Sequence, residues 1–569
     1  MEKKGKIGLA NNLTHYGDPD FSVFLRKSFA ASMGYSKDML NRKIVGIAYT
    51  GSGFNNCHRH FPELLEAVKR GVIANGALPL EFPTISLGEV FLNPTSLKFR
   101  NLMALDTEEM IKSQPMDAVV LMGGCDKTVP AQLMGSISAN IPSIQLIGGP
   151  MMTSKFKGER LGACTDCRRF WTKFRSETIT EQEIHKVEGR LATTAGTCPI
   201  MGTASTMACV AESLGLALPG SAAIPAVNSD RLRAAELTGK TAADLASNPV
   251  FPSEIIVEKS IENAFRVILA LGGSSNAIIH LTAIAGRAGI KFSLQKLNEL
   301  SDTTPVLVNL KPVGNHYMED FYFAGGLGAV LRELKPLLHL DCLTITGETL
   351  RERLNSDVDY VDRSVIATLE KPLDPEGGLV ALFGSLAPKG AILKRSAATK
   401  ELFDKVGKAV VFESLEDLTN RIDDPSLEVS PEDFLILKNA GPASPSGMPE
   451  AGYLPLPKKM LAQGVRDMVR ISDARMSGSA FGTVILHVTP EAAIGGPLSL
   501  VQNGDQIRLS VAEKKLDLLV SEEEMQIRKK NTFSLEPDKE KIRGYDKLYQ
   551  EQILQADQGC DFEFLLPLK

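Results

Sequence analysis

Cys57, Cys125 and Cys198 are the residues of this 569-residue chain whose type and setting point most directly to chemistry. Cys57 lies in Gly51-Ser52-Gly53-Phe54-Asn55-Asn56-Cys57-His58, Cys125 in Gly123-Gly124-Cys125-Asp126-Lys127-Thr128, and Cys198 in Gly196-Thr197-Cys198-Pro199. The first two loops directly follow apolar runs, residues 44–49 and 118–122, and loops at strand ends are where α/β proteins gather chemistry. Three thiolates are one short of the four that usually enclose an iron–sulfur cluster, which leaves one iron open to a substrate oxygen. Taken singly, each of these cysteines reads equally well as a buried small hydrophobe. Their shared context of glycines and capping residues sets them apart. Cys164-Thr165-Asp166-Cys167 has the C-x-x-C spacing of a zinc or redox site, but no second pair accompanies it. Beside Arg168, Arg169, Phe170 and Trp171 it reads as helix surface and packing.

Oxygen ligands come next. Asp126 adjoins Cys125, Glu89 follows Ser86-Leu87-Gly88, and Glu450 closes Ser446-Gly447-Met448-Pro449-Glu450. Three carboxylates on Gly- or Pro-marked loops suit Mg²⁺, which takes oxygen ligands and keeps waters for a substrate. Each alone is equally a capping or solvated turn residue. Lys127 reads either as a surface ammonium or as a buried lysine of altered charge. Asp473-Ala474-Arg475-Met476-Ser477-Gly478-Ser479 sets serines between small residues without the G-x-S-x-G elbow of hydrolases. Ser477 becomes a base only where a bound cation lowers its proton affinity. Gly51-Ser52-Gly53 lacks the third glycine of a dinucleotide loop, so an NAD-linked dehydrogenase has little support.

These loops need rigid elements to carry them. From about residue 40 to 370, strand-like runs (44–49, 118–122, 144–147) alternate with helical periods (62–74, 107–113), which predicts a parallel sheet with crossover helices. Residues 201–216, 253–270 and 276–288 read as further helices. A turn-rich stretch, Lys371-Pro372-Leu373-Asp374-Pro375-Glu376-Gly377-Gly378, marks a boundary near 372 and divides the chain into residues 1–372 and 373–569. Short apolar runs beyond it (379–383, 409–412, 434–437, 483–488, 507–511) predict a β-rich, barrel-like module, ending in a charged helical segment from about 522.

Composition narrows the class. Hydrophobic residues make up 43% and charged residues 23%, as in ordinary globular proteins. The net charge of -5, from 63 basic and 68 acidic residues, gives no electrostatic basis for a nucleic-acid partner. The longest apolar stretch, 204–223, is broken by Glu212, Ser213, Gly215 and Pro219, so no membrane span is expected. The basic start Met1-Glu2-Lys3-Lys4 lacks an apolar run behind it, and eight cysteines are too few for a disulfide scaffold. A cytoplasmic enzyme is the expectation.

Together the loops resemble the iron–sulfur dihydroxy-acid and sugar-acid dehydratases. The matching stretches are Asn56-Cys57-His58, Ser86-Leu87-Gly88-Glu89, Gly123 to Pro130, Gly196 to Ala204, Gly272-Gly273-Ser274-Ser275-Asn276-Ala277, Met318-Glu319-Asp320-Phe321, Gly447-Met448-Pro449-Glu450 and Asp473 to Gly478. They run from about residue 40 to 510. The resemblance implies a hydro-lyase that converts a 2,3-dihydroxy acid to a 2-keto-3-deoxy acid. It implies a [2Fe–2S] rather than a [4Fe–4S] cluster on Cys57, Cys125 and Cys198, and Mg²⁺ on Glu89, Asp126 and Glu450. It further implies a carbamylated Lys127 as an additional metal ligand and Ser477 as the base. The implied fold is an N-terminal α/β domain with a parallel sheet and cluster-binding loops, followed by a C-terminal β-barrel-like domain with flanking helices, in homodimers or homotetramers. Asp166-Cys167-Arg168-Arg169-Phe170-Trp171 and Glu319-Asp320-Phe321-Tyr322 look like the sugar-acid branch, acting on a pentonate or hexonate. The alternative is the dihydroxy-acid dehydratase of branched-chain amino-acid biosynthesis. Val313, where relatives commonly carry serine, and Ala443-Ser444-Pro445-Ser446 depart from the pattern. An electron-transfer or regulatory iron–sulfur protein would lack the three carboxylate loops.

Overall fold

Ile44–Tyr49 (β1) and Ala118–Gly123 (β3) are almost wholly apolar and buried on both faces, as central strands of a covered parallel sheet must be. A computed structural model, which describes residues 7–14, 16–356, 360–531 and 542–567, places them side by side. Leu78–Pro83 (β2) and Ser143–Ile147 (β4) complete a four-stranded parallel sheet of order β2-β1-β3-β4. Pro19–Ala31 (α1) precedes it, and Phe61–Ala74 (α2), Ser96–Ser113 (α3) and Thr128–Ala139 (α4) are the crossovers. The run expected at 107–113 is thus the last third of α3. A short hairpin, Ser154–Phe156 (β5) with Glu159–Leu161 (β6), follows.

The expected alternation does not continue to residue 370. After β6 the domain is built from helices: Thr165–Arg175 (α5), Glu181–Leu191 (α6), Thr203–Ser213 (α7), Ser229–Leu245 (α8), Pro252–Ile255 (α9), Glu258–Ala270 (α10) and Asn276–Arg287 (α11). The stretch read as one helix over 253–270 is two. Ile256 and Val257 are extended, and Ser260 Oγ accepts from Val257 N–H at 3.0 Å, which starts a new helix instead of continuing the old one.

Beyond the turn-rich stretch lies an eight-stranded sheet of order β14-β13-β9-β10-β11-β12-β8-β7. Its strands are Val380–Leu382 (β7), Gly390–Leu393 (β8), Asp404–Phe412 (β9), Phe434–Leu437 (β10), Arg470–Ser472 (β11), Val484–Thr489 (β12), Gln506–Ser510 (β13) and Lys515–Leu518 (β14). Phe383 N–H donates to Lys514 O and Leu516 N–H to Phe383 O, both at 2.9 Å, so the two edges meet and the sheet nearly closes. Side chains alternate along each strand. Val411, Ile436, Ile471, Ile485 and Leu509 fill the inside, while Phe412, Leu435 and Leu437 face outward against Leu418 and Met460. The α/β fold with a C-terminal barrel-like sheet is therefore the one expected.

The end of the chain leaves the barrel. Residues 545–566 lie against the N-terminal helices, where Arg100 on α3 donates to Cys560 O at 2.7 Å and Arg287 on α11 grips Asp561 at 2.5 Å.

Candidate functional site

Every residue singled out by sequence follows the carboxyl end of a parallel strand or the start of a helix, where such sheets present their loops. Cys57 sits in a single helical turn, Asn56–His58, after β1, and Glu89 in the loop after β2. Cys125, Asp126 and Lys127 link β3 to α4, and Cys198 lies just ahead of α7. Glu450 follows β10 and Ser477 follows β11, both in the C-terminal domain.

The thiols converge in two pairs. Cys57 is hydrogen-bonded to Cys125, and Cys198 Sγ lies 3.0 Å from Cys164 Sγ. Cys164 is the N-cap of α5, and its thiol meets a partner 34 residues away. Spacing along the chain carries no sign of it. The hydrogen bond to Cys125, burial and the neighbouring acids, Asp126 and Cys164 among them, push the Cys57 thiol well above its ordinary pKa. Cys198 is raised by its bond to Cys164, by burial, and by Asp126 and Cys57. The two pairs therefore lie within electrostatic reach of one another. His58 shapes this pocket from behind. Its ring stacks on Phe61 at 4.1 Å, and Nε2 accepts from Cys125 N–H at 3.1 Å. Burial drives its pKa down to about 3, so the imidazole is neutral and its Nδ1–H is left to donate to Thr50 O at 2.8 Å.

The carboxylates also converge. Oxygens of Glu89, Asp126 and Glu450 all lie within 4.8 Å of one another, a set that suits a hard divalent cation. Two cations already hold them. Arg475, fully buried, donates to Glu450 at 2.7 Å and to Glu89 at 2.9 Å, and also to Thr95 Oγ1 at 2.7 Å and Met448 O at 2.9 Å. Lys127, equally buried, reaches Glu89 at 3.1 Å and Asp126 at 3.7 Å. Burial alone would raise Glu89, but Lys127 and Arg475 outweigh it and hold the carboxyl well below its ordinary range. Asp126 is instead raised to about 6, first by burial, with Glu89 and Glu450 adding repulsion against the pull of Lys127. Sequence reading passed over Arg475 as a site residue, although it sits two residues before Ser477.

Ser477 lies on a loop pinned from three sides. Asn276 donates to Met476 O at 3.0 Å, Thr165 to Ser479 O at 3.0 Å and Lys394 to Gly478 O at 3.4 Å. Ser477 Oγ lies 2.7 Å from Ser479 Oγ. A Cβ at Gly478 would stand 2.6 Å from Thr203 N, so only glycine lets the serine loop lie against the start of α7. Beside Glu450 opens a cavity of about 1130 Å³ lined by Arg168, Arg169, Trp171, Tyr453 and Phe481. Arg168 lies 4.7 Å over the Tyr453 ring and makes no ion pair among the described residues.

This site falls within two matched regions. The N-terminal model of the dihydroxy-acid/6-phosphogluconate dehydratases covers residues 42–353, and the C-terminal model covers 364–560. The chain belongs to this family. Its members include an L-arabinonate dehydratase of Rhizobium leguminosarum bv. trifolii, 44% identical over 97% of this chain and 95% of the relative. A 6-deoxy-6-sulfo-D-gluconate dehydratase of Pseudomonas putida is 41% identical over 99% of this chain and 98% of its own. A dihydroxy-acid dehydratase of Carboxydothermus hydrogenoformans is 36% identical over 94% and 97%. This family member is accordingly a dehydratase, a hydro-lyase acting on a hydroxy acid. Among the described residues no helix is long and apolar enough to cross a membrane.

Proposed function

We propose that the chain removes water from a 2,3-dihydroxy sugar acid, a pentonate or hexonate, to give the 2-keto-3-deoxy acid. The observation that carries this reading is the meeting of a thiol pocket and a carboxylate pocket on one loop, since Cys125 and Asp126 are adjacent. The donor sets fit the two groups: soft sulfurs for iron, hard oxygens for magnesium. A [2Fe–2S] cluster held by Cys57, Cys125 and Cys198 would supply a Lewis acid for the departing 3-hydroxyl, and Mg²⁺ held by Glu89, Asp126 and Glu450 would supply positive charge at the carboxylate and 2-hydroxyl.

The chain's own residues do the rest. Ser477 takes the C2 proton, a step in which a well-placed base contributes about 10²–10⁴-fold. Arg475 pairs with both Glu89 and Glu450 and aims them at one point. Lys127, as an ammonium, competes with a divalent ion for the oxygens of Glu89 and Asp126. Addition of its neutral amine to carbon dioxide, with loss of a proton, replaces that competitor by a carbamate able to bind the same ion. The cavity beside Glu450 receives the polyol chain, with Tyr453 and Trp171 as apolar walls and Arg168 as a partner for an anionic end. The higher identity to sugar-acid dehydratases than to dihydroxy-acid dehydratases supports the sugar-acid branch.

The test has two arms. Aldonates and 2,3-dihydroxyisovalerate are compared with a 2-keto-acid readout, and faster turnover of the branched-chain acid rejects the sugar-acid reading. Ser477→Ala is expected to keep the visible absorbance of the cluster while turnover falls by about 10²–10⁴; loss of both together contradicts its role as base.

A further inference from the structure

Lys394 stands where β8 ends, entirely buried, and among the described residues it makes no ion pair. Its neighbour Arg395 turns away to Glu376 at 2.6 Å and to Gly377 O at 2.7 Å. Among the described residues the one hydrogen bond from Lys394 Nζ runs to the carbonyl of Gly478, the residue after Ser477. Charged residues of that loop are engaged elsewhere. Asp473 accepts from Ala440 N–H and Ala492 N–H at 3.0 and 2.9 Å, and Arg475 is held by Glu89 and Glu450. Burial is the sole cause that draws the Lys394 ammonium down from 10.5 to about 7, so no acidic group on the packed elements offsets its desolvation.

A buried lysine without a counter-ion is costly, and so is an alkoxide on the half-buried Ser477. With Lys394 Nζ at the carbonyl of the residue after Ser477, a positive charge on one and a negative charge on the other offset each other's cost. Asn276 and Thr165 hold the serine loop with neutral donors, and among the described residues Lys394 is the charged side chain that donates to its backbone. We propose that Lys394 is the positioning cation of the serine loop, fixing Gly478 and supplying the positive charge against which Ser477 gives up its hydroxyl proton to solvent. This rests on the reading of Ser477 as the base. Lys394 need not touch the substrate, so its removal acts on kcat and on the ionisation of Ser477 more than on KM.

The experiment takes the full-length holoenzyme with Lys394→Met, Lys394→Gln, Lys394→Arg and Ser477→Ala, and records pH profiles of kcat and kcat/KM together with visible absorbance. Lys394→Met is expected to lose about a hundredfold in kcat with KM little changed, and the acid limb of kcat should move up by about one pH unit or more. Lys394→Gln, which keeps a donor but not the charge, should show the same movement if the methionine variant fails to fold. Lys394→Arg should restore the limb. Absorbance should be unchanged in all four. A reduced kcat with an unmoved acid limb in both Lys394→Met and Lys394→Gln, beside an inactive Ser477→Ala, overturns the role of Lys394 alone. Turnover retained by Ser477→Ala removes the base reading, and this proposal with it.

Discussion

The sulfur half and the oxygen half of the site hold acidic side chains in opposite ways. Glu89 and Glu450 are tied to Arg475, and Lys127 stands between Glu89 and Asp126, so the oxygen half carries its own cations. Among the described residues no cation is paired with Cys57 or Cys198. Each is bonded to another thiol and is raised well above its ordinary pKa by that bond, by burial and by Asp126. The difference teaches what each half requires from outside. Thiols this hard to ionise become ligands only when a metal centre brings the charge, because thiolate is the ligating form. The carboxylates already face buried cations and are aimed at one point. A thiol pocket of this kind is costly to assemble as thiolate without its cluster, whereas the carboxylate pocket is nearly complete in the folded chain.

The largest expected effect separates the two cysteines that touch. Cys198→Ser should abolish the visible absorbance and lower turnover by at least about 10³-fold, since Lewis-acid assistance is worth several kcal/mol. Cys164→Ser should keep both near wild type. Measured side by side on anaerobically purified protein, a chromophore that survives Cys198→Ser, or one lost in Cys164→Ser, breaks the assignment of three ligands.

Arg475→Met tests the oxygen half. Removing the buried guanidinium leaves Glu89 and Glu450 without their partner, and breaking a buried pair in this way typically costs 3–5 kcal/mol. Both carboxylates keep some contact with solvent, so about 3 kcal/mol is expected in urea unfolding. Added Mg²⁺ should recover part of that loss by mass action, more than it stabilises wild type. Wild-type stability in Arg475→Met would mean that the carboxylates did not depend on an internal cation.

Much of this was legible in the chain. Strands β1 and β3 announce themselves as unbroken apolar runs, and the loops behind them, each with glycines and a cysteine, put candidate site residues at strand ends before any coordinates. Three kinds of feature were not legible. Strands β11 and β14 carry charged residues, Arg470 in one and Lys515 and Asp517 in the other, so no apolar run marks them as one marks the equally short β7 and β10. Contacts such as Cys164 with Cys198, or Arg475 with Glu89 386 residues away, are made by folding and leave no spacing. Lys394 follows an apolar strand as any boundary lysine would; its burial and its lack of a counter-ion emerge only once the serine loop closes over it.

Glu491 and Asp473 supply the control for the whole comparison, being carboxylates that make no ion pair among the described residues. Both are buried in the C-terminal domain. Glu491 is raised from 4.5 to about 7, first by burial and then by Asp473, which is itself raised to about 6 by burial. Backbone N–H groups of Ala443, Ala440 and Ala492 oppose both shifts without reversing them. The sign follows from proton binding. Between pH 4.5 and 7 the folded chain keeps a proton on Glu491 that the unfolded chain has lost, so stability is fully present below about 4.5 and is lost as pH rises through about 7. Each pH unit in that window costs about 1.4 kcal/mol, and the whole span on the order of 3–4 kcal/mol. Glu491→Gln has no proton to lose. Its unfolding free energy should therefore vary less between pH 5 and 8 than that of wild type, with the gain appearing at pH 8. If the variant and wild type follow parallel curves, burial without a cation does not govern carboxylates here, and the contrast between Glu89 and the thiols needs another cause.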